Sequence, residues 1–172
     1  IFTLGNSSNT FLLLKAYDLG FTAAQVIMLY LVFNVSASIL SITAGKISDR
    51  KGRSFILVPA YIMYGFVYLG FAYLNSTVSL ILLFVAYGAY SAFISGAERA
   101  FVAEKSPLHL KGTILGLYGT IQGIGLFLSS MIAGLLWNQI NSSAPFVFGG
   151  LMGLLSALLV FMLNRYYQRK SL

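Results

Sequence analysis

Six apolar runs, near residues 1–17, 22–44, 54–74, 78–101, 112–137 and 144–164, account for most of the chain. Each is near the roughly 20 residues that cross a bilayer core as a helix at about 1.5 Å per residue. The first run is the shortest. It opens on Ile1 with no basic region before it, so the expectation is a cut inside a longer chain rather than a signal peptide. With 58% hydrophobic and 9% charged residues, the chain has too little polar surface to clothe a water-soluble globule. It reads as an all-α membrane protein, one six-helix transmembrane domain over residues 1–172 whose first partner is the lipid bilayer.

The joints carry stop and start signals. Asp18-Leu19-Gly20 closes the first run with a glycine suited to a left-handed cap, and Thr22 with Gln25 has the capping-box spacing. Asn75-Ser76-Thr77 is a turn, Ser106-Pro107 has the chemistry of an N-cap and first helical residue, and Asn141 to Pro145 does similar work before the last run. Joints this short make consecutive helices antiparallel neighbours. The polar island Gly45 to Ser54 reads as the tight turn between the second and third helices.

Charge orients the bundle. Lys46, Arg50, Lys51, Arg53, Arg99, Lys105, Lys111, Arg165, Arg169 and Lys170 fall on one side and Lys15 alone on the other, so the first side and the C-terminus are cytoplasmic. Lys15 reads as an interfacial, snorkelling lysine. The net charge of +7 does not imply nucleic acid, because the basic residues sit in short clusters at helix ends rather than along one face. The absence of Cys excludes disulfides, thiolate metal sites and thiol catalysis. One His, no nucleophile elbow and no metal-ligand spacing argue against an enzyme, so no catalytic residue, metal ligand or cofactor is expected.

Depth is the more informative pattern. Centring each helix in the bilayer puts Asn6 and Asn9, Asn34, Tyr90 and Ser91, and Gln122 at one level on the first, second, fourth and fifth helices. At that level the third offers only tyrosines and the sixth only Ser156. Uncompensated amides in hydrocarbon cost several kcal/mol, on the order given by, so four helices with polar groups at one depth are expected to surround a wet cavity. Ser38 and Ser41 extend the face on the second helix, and Tyr118, Gly125 and Ser129 on the fifth. The third and sixth helices then face lipid. For Asn34 and Gln122 taken singly, interhelical packing glue is the alternative to solute contact. Gly112, Gly116, Gly119, Gly123 and Gly125 place small-residue spacing on the fifth helix, which suits close helix packing.

Gly45, Asp49, Arg50, Gly52 and Arg53 resemble the major facilitator superfamily signature between consecutive helices, with Ile47 for its usual Leu and Ser54 for its last basic residue. The stretch Gly96 to Glu104, with Lys111-Gly112-Thr113 and Ala133 to Trp137, is similar to the tenth and eleventh helices of bacterial members. Gly5-Asn6-Ser7-Ser8-Asn9 resembles a seventh helix, and no Gly-Pro antiporter motif is present. The resemblance covers essentially the whole chain and implies the C-terminal half, helices seven to twelve, of a transporter built from two inverted three-helix repeats in each half. It implies that the first, second, fourth and fifth helices here line a translocation cavity, with Asn6, Asn9, Asn34, Ser38, Tyr90, Ser91, Tyr118 and Gln122 as its candidates. It implies a gating role for Gly45, Asp49, Arg50, Gly52 and Arg53, with Glu98, Arg99 and Glu104 completing a cytoplasmic charge network. The alternative is an ordinary positive-inside loop with solvated ion pairs worth about 0–1 kcal/mol.

The function implied is secondary active transport of a small organic solute by alternating access. The implied partners are an N-terminal six-helix half, the solute, and H+ or another ion as coupling candidate. The setting is a bacterial inner membrane. Asp18 and Glu98 lie near opposite ends of the bundle and no carboxylate sits at midplane, so a coupling acid is expected in the N-terminal half. A six-helix channel or a non-transporting scaffold is the competing reading; a channel would call for a ring of like charges or a carbonyl-rich filter, and neither is visible.

Overall fold

The computed structural model describes the backbone of residues 2–170 and, within it, all side chains except those of Lys51, Arg53, Ser54 and residues 166–170. All regular structure among the described residues is helical: α1 Phe2–Gly5, α2 Thr10–Asp18, α3 Ala23–Lys51, α4 Arg53–Tyr73, α5 Thr77–Lys105, α6 Lys111–Gln139 and α7 Ala144–Lys170. Helices α3 to α7 are each long and apolar enough to cross a membrane. The first expected span is instead two pieces, α1 and α2, separated by Asn6 to Asn9.

That break follows from composition. Asn and Ser hydrogen-bond to nearby backbone and compete with helix formation, and Gly-Asn-Ser-Ser-Asn concentrates them. Freed backbone groups at membrane depth are tolerated only where other groups satisfy them. Here Gly5 O accepts from the Tyr64 hydroxyl at 2.8 Å, Asn6 O from Ser129 Oγ at 3.0 Å, and Ser8 N donates to Ser130 Oγ at 3.3 Å.

The joints mostly form as their residues dictate. Gly20 has φ +89°, Phe21 N bonds to Ala16 O and Gly20 N to Tyr17 O, which is the Schellman pattern. Thr22 and Gln25 form a reciprocal capping box. Ser76 caps α5 through Ser79 N, and Asn141 Oδ1 accepts from Ser143 N and Ala144 N before α7. Ser106 behaves otherwise. It ends α5, donating to Val102 O at 2.6 Å, and a short 3-10 turn, Leu108–Leu110, follows Pro107 before α6. A residue preceding proline is pushed out of the α region, which favours stopping α5 over starting α6.

The island at 45–54 is not a ten-residue turn. Helix α3 runs through it to Lys51, and Gly52 alone separates α3 from α4. Gly52 has φ 88° and ψ 142°, a region open essentially to glycine.

The core is aromatic and centres on α4. Tyr64, Tyr68, Phe71, Phe84 and Phe146 are almost completely buried, and Tyr61, Tyr64, Tyr68 and Phe71 recur at helical spacing on one face of α4. In its most apolar window α4 is 56% buried, against 17% for α3 and 11% for the segment containing α6. Within this chain α4 is therefore the hub rather than a peripheral helix; its opposite side, Phe55, Ile62, Phe66 and Tyr73, is exposed. The open faces belong to α3 and α6.

Close helix contacts also fall elsewhere than the glycine spacing of α6 suggests. A Cβ at Gly112, Gly116, Gly119 or Gly123 would meet nothing within 4 Å; only at Gly125 would it meet a neighbour, Thr3. The tight crossings are α4 with α7, where a Cβ on Gly65 would lie 3.1 Å from Gly150 O, and α3 with α5, where one on Gly88 would lie 2.6 Å from Phe33 O. Lys15 does not snorkel. It is 4% exposed, and its ammonium donates to Ser142 Oγ at 3.3 Å and Ser143 Oγ at 3.1 Å, tying α2 to the α6–α7 joint.

Candidate functional site: a polar cavity around Glu98

Helices α1, α5 and α6 border a cavity of about 380 Å³ that includes Asn6, Tyr90, Glu98, Arg99, Tyr118 and Gln122 in its wall. The Glu98 carboxylate is part of its wall. Oε1 accepts from the Tyr61 hydroxyl of α4 at 2.8 Å, and Oε2 accepts from the Tyr118 hydroxyl at 2.7 Å and from Gln122 Nε2 at 2.9 Å. Gln122 Nε2 also bonds to the Tyr118 oxygen. Hydrogen bonds to an ionised group are roughly twice as strong as neutral ones, so three donors from two helices hold this carboxylate in a defined place.

Local sequence explains how they converge. Tyr118 and Gln122 are four residues apart on α6 and so share a face. Tyr61 belongs to the buried face of α4 and reaches Glu98 past Phe2, whose ring lies 4.3 Å from that of Tyr61. Glu98 is seven residues from the midpoint of α5, but Tyr61 and Gln122 are two and three residues from the midpoints of α4 and α6. At about 1.5 Å per residue, the carboxylate therefore meets partners close to the middle of the bundle. Glu98 thus starts well off the middle of α5 and meets, through its hydrogen bonds, side chains that start nearer the middle of α4 and α6.

The structure divides the other candidates. Asn6, Tyr90, Tyr118 and Gln122 share the Glu98 cavity. Asn9 is turned to α5 and accepts from the Tyr87 hydroxyl at 2.7 Å. Ser91 lines a separate groove of about 310 Å³ between α3 and α5, together with Ser41, Gly45 and Asp49. Asn34 and Ser38 are exposed on α3 and line neither space; the Asn34 amide donates to Tyr30 O of its own helix at 2.7 Å. The single ring of amides expected from depth alone is thus two sites and an open face.

Among the gating candidates, Asp49 and Arg50 are exposed at the C-terminal end of α3, Gly52 forms the joint, and Glu104 is exposed near the end of α5. The Arg53 side chain lies outside the described residues. Glu98 is withdrawn from this group into the cavity, and Arg99 lines the same cavity. Tyr61 was not among the candidates, and its signal was the recurrence of Tyr61, Tyr64 and Tyr68 on one helical face. Among the described residues no cluster of His, Asp and Glu could hold a metal ion.

A bundle of long apolar helices packed around a polar cavity is a multi-pass membrane protein. Residues 1–171 match the Major Facilitator Superfamily, and the chain belongs to that superfamily. It is 38% identical over 166 residues to an uncharacterized MFS-type transporter of Methanocaldococcus jannaschii, covering 93% of this chain and 42% of the relative. A second uncharacterized MFS-type transporter of that archaeon is 24% identical, over 86% of this chain and 38% of its own length. The quinolone resistance protein NorA of Staphylococcus aureus is 27% identical, over 81% of this chain and 36% of its own. The chain thus spans about two fifths of the curated relatives it matches. These relatives are archaeal as well as bacterial, so similarity does not tie the chain to bacteria.

Proposed function

We propose that this chain is the C-terminal six-helix half of a secondary active transporter, in which two inverted three-helix repeats and an N-terminal half enclose a small organic solute and expose it alternately to either side. The observation that carries this reading is Glu98. Ionisable residues within membrane spans are costly and mark substrate or ion pathways, and here one stands in a cavity with amides and hydroxyls positioned around it. Glu98 is the group in this chain through which H+ or another cation would couple to solute movement. The quinolone resistance named for the staphylococcal relative turns the reading toward export of amphipathic compounds.

In this account Gly45, Asp49, Arg50, Gly52 and Arg53 act at the cytoplasmic gate with Arg99 and Glu104, in a prokaryotic inner membrane with the C-terminus inside. Asn34 and Ser38, on the open face of α3, meet the solute or the N-terminal half when the halves close. The test is transport by the full-length protein in proteoliposomes, with a fluorescent quinolone and a panel of other organic solutes. Saturable movement driven by an imposed ion gradient is expected. Gradient-independent, non-saturating flux or a unitary conductance would favour a channel, and no flux of any solute would favour a scaffold.

A further inference from the structure

A second cavity, of about 420 Å³, shares Phe2, Thr3, Glu98, Tyr118 and Gln122 with the polar one and lies among α4, α5, α6 and α7. Beyond the shared residues the two walls differ in kind. The first gains Asn6 and Arg99, an amide and a guanidinium, and the second gains Leu57, Phe101, Val102, Leu159 and Val160. The space follows from how α4 meets α7. Those helices touch at Gly65 and Gly150, and Leu57 and Leu159 stand eight and nine residues from that crossing. This is about 12–14 Å along the axes at 1.5 Å per residue, where helices that cross at an angle have parted.

Hydrogen bonding sorts what the second cavity can take. Its Tyr61 and Tyr118 hydroxyls both donate to Glu98, Gln122 Nε2 donates to Glu98 and to the Tyr118 oxygen, and the Ser156 hydroxyl donates to Met152 O at 2.7 Å. These donors are spent. A polar guest would compete with those bonds, whereas an apolar guest leaves them in place and brings no group of its own that needs a partner. The volume falls within the roughly 300–1,000 Å³ of small-molecule sites. Ile121 and Leu163, also in the wall, are 58% and 54% exposed, so the cavity reaches the surface of this chain between α6 and α7.

We propose that this second cavity is an apolar subsite for the solute: the hydrocarbon tail of an amphiphile lies among Leu57, Val102, Leu159 and Val160, and its polar head lies in the Glu98 cavity, the two joined past Phe2 and Thr3, which belong to both walls. The inference rests on the transport reading and narrows it to solutes with a hydrocarbon tail. A bilayer lipid fits less well as the occupant. Its head group belongs at the membrane surface, whereas the polar groups adjoining this cavity, Glu98, Tyr118 and Gln122, meet close to the middle of the bundle. The consequence is specificity: Leu159 and Val160 set how long a tail is accepted.

Two measurements on the full-length protein in lipid nanodiscs decide it. The probes are n-alkyl amphiphiles with trimethylammonium or carboxylate heads, and for labelling they carry a photoreactive diazirine at the tail end. Irradiation and peptide mapping should place cross-links at Leu57, Val102, Leu159 or Val160, and unlabelled octyl amphiphile should displace them. Cross-links confined to other positions, or none, overturn the proposal. So does labelling of these residues by a diazirine phospholipid that the amphiphile does not displace, which assigns the cavity to lipid. Filling the cavity by Leu159→Trp should weaken binding of the octyl amphiphile at least about tenfold and leave the ethyl one within about twofold, as tail exclusion from an apolar pocket requires. Phe66→Trp, on the exposed side of α4, should change neither. Equal losses for both tails overturn the proposal, and should Leu159→Trp fail to fold, the cross-link map of the parent still decides. Gradient-driven flux is scored separately: no flux of any solute overturns the transport reading, whereas flux without cross-links in the cavity overturns the subsite alone.

Discussion

Replacing Gly88 by Ala tests how α3 and α5 are held together. Their pairing and that of α4 with α7 are the two most extensive among the described residues. In an open mid-helix position this change would stabilise by about 0.5–1 kcal/mol. At Gly88 the new Cβ would stand 1.8 Å from Ser36 Oγ, 2.6 Å from Phe33 O and 3.1 Å from Ala37 N. Ser36 Oγ can rotate, but it then gives up its bonds to Phe33 O at 2.9 Å and Val85 O at 3.3 Å. Phe33 O is backbone and moves only if the two helices part.

Overpacking costs about 1–3 kcal/mol and the lost interhelical bond about 0.5–1.5 kcal/mol. After the propensity gain is subtracted, a net loss of roughly 1–3 kcal/mol is expected from these ranges. Thermal unfolding of the purified full-length protein should show a midpoint lowered by several degrees, at roughly 2–4 °C per kcal/mol. Adding Ser36→Ala should recover part of the loss, because it removes the closest contact and leaves Phe33 O in place. A Gly88→Ala variant that melts higher than the parent would refute the reasoning.

Thr22→Ala removes the α3 capping box and should cost about 0.5–2 kcal/mol, read as a lowered melting midpoint without loss of solute affinity. Gly52→Ala forces a side chain into φ 88°, ψ 142° and should destabilise the α3–α4 joint by about 1–3 kcal/mol, read in the same assay; an unchanged midpoint would contradict the joint's geometry. Asp49→Asn should slow transport by the full-length protein at normal abundance; a normal rate would remove Asp49 from the gate.

The long helices and most of their joints were legible because each rests on local chemistry: apolar length, the Thr22–Gln25 pair, Gly20, Asn141. What escaped depends on neighbours distant in sequence. Gly-Asn-Ser-Ser-Asn looked like polar residues on one helix because the side chains that sustain a break, Tyr64, Ser129 and Ser130, lie on α4 and α6. Glu98 looked like part of a charged helix end because its position along α5 was visible and the reach of its side chain to Tyr61 and Gln122 was not. The α6 glycines matched a packing spacing, yet spacing does not say which helix is near, and four of the five face open space in this chain. Tyr61, Tyr64 and Tyr68 were passed over as ordinary span aromatics, although their shared face is the core of the bundle.

The account turns on Glu98 as the working carboxylate of the cavity. In proteoliposomes of the full-length protein, gradient-driven transport of a solute identified by screening should fall at least about tenfold in Glu98→Gln, which on the scale of 1.4 kcal/mol per decade is comparable to one charge-assisted hydrogen bond. Abundance and melting should stay near those of the parent, and Tyr17→Phe, at an exposed position near the end of α2, should transport normally. A folded Glu98→Gln protein that moves the solute against its gradient at the parental rate would contradict the account.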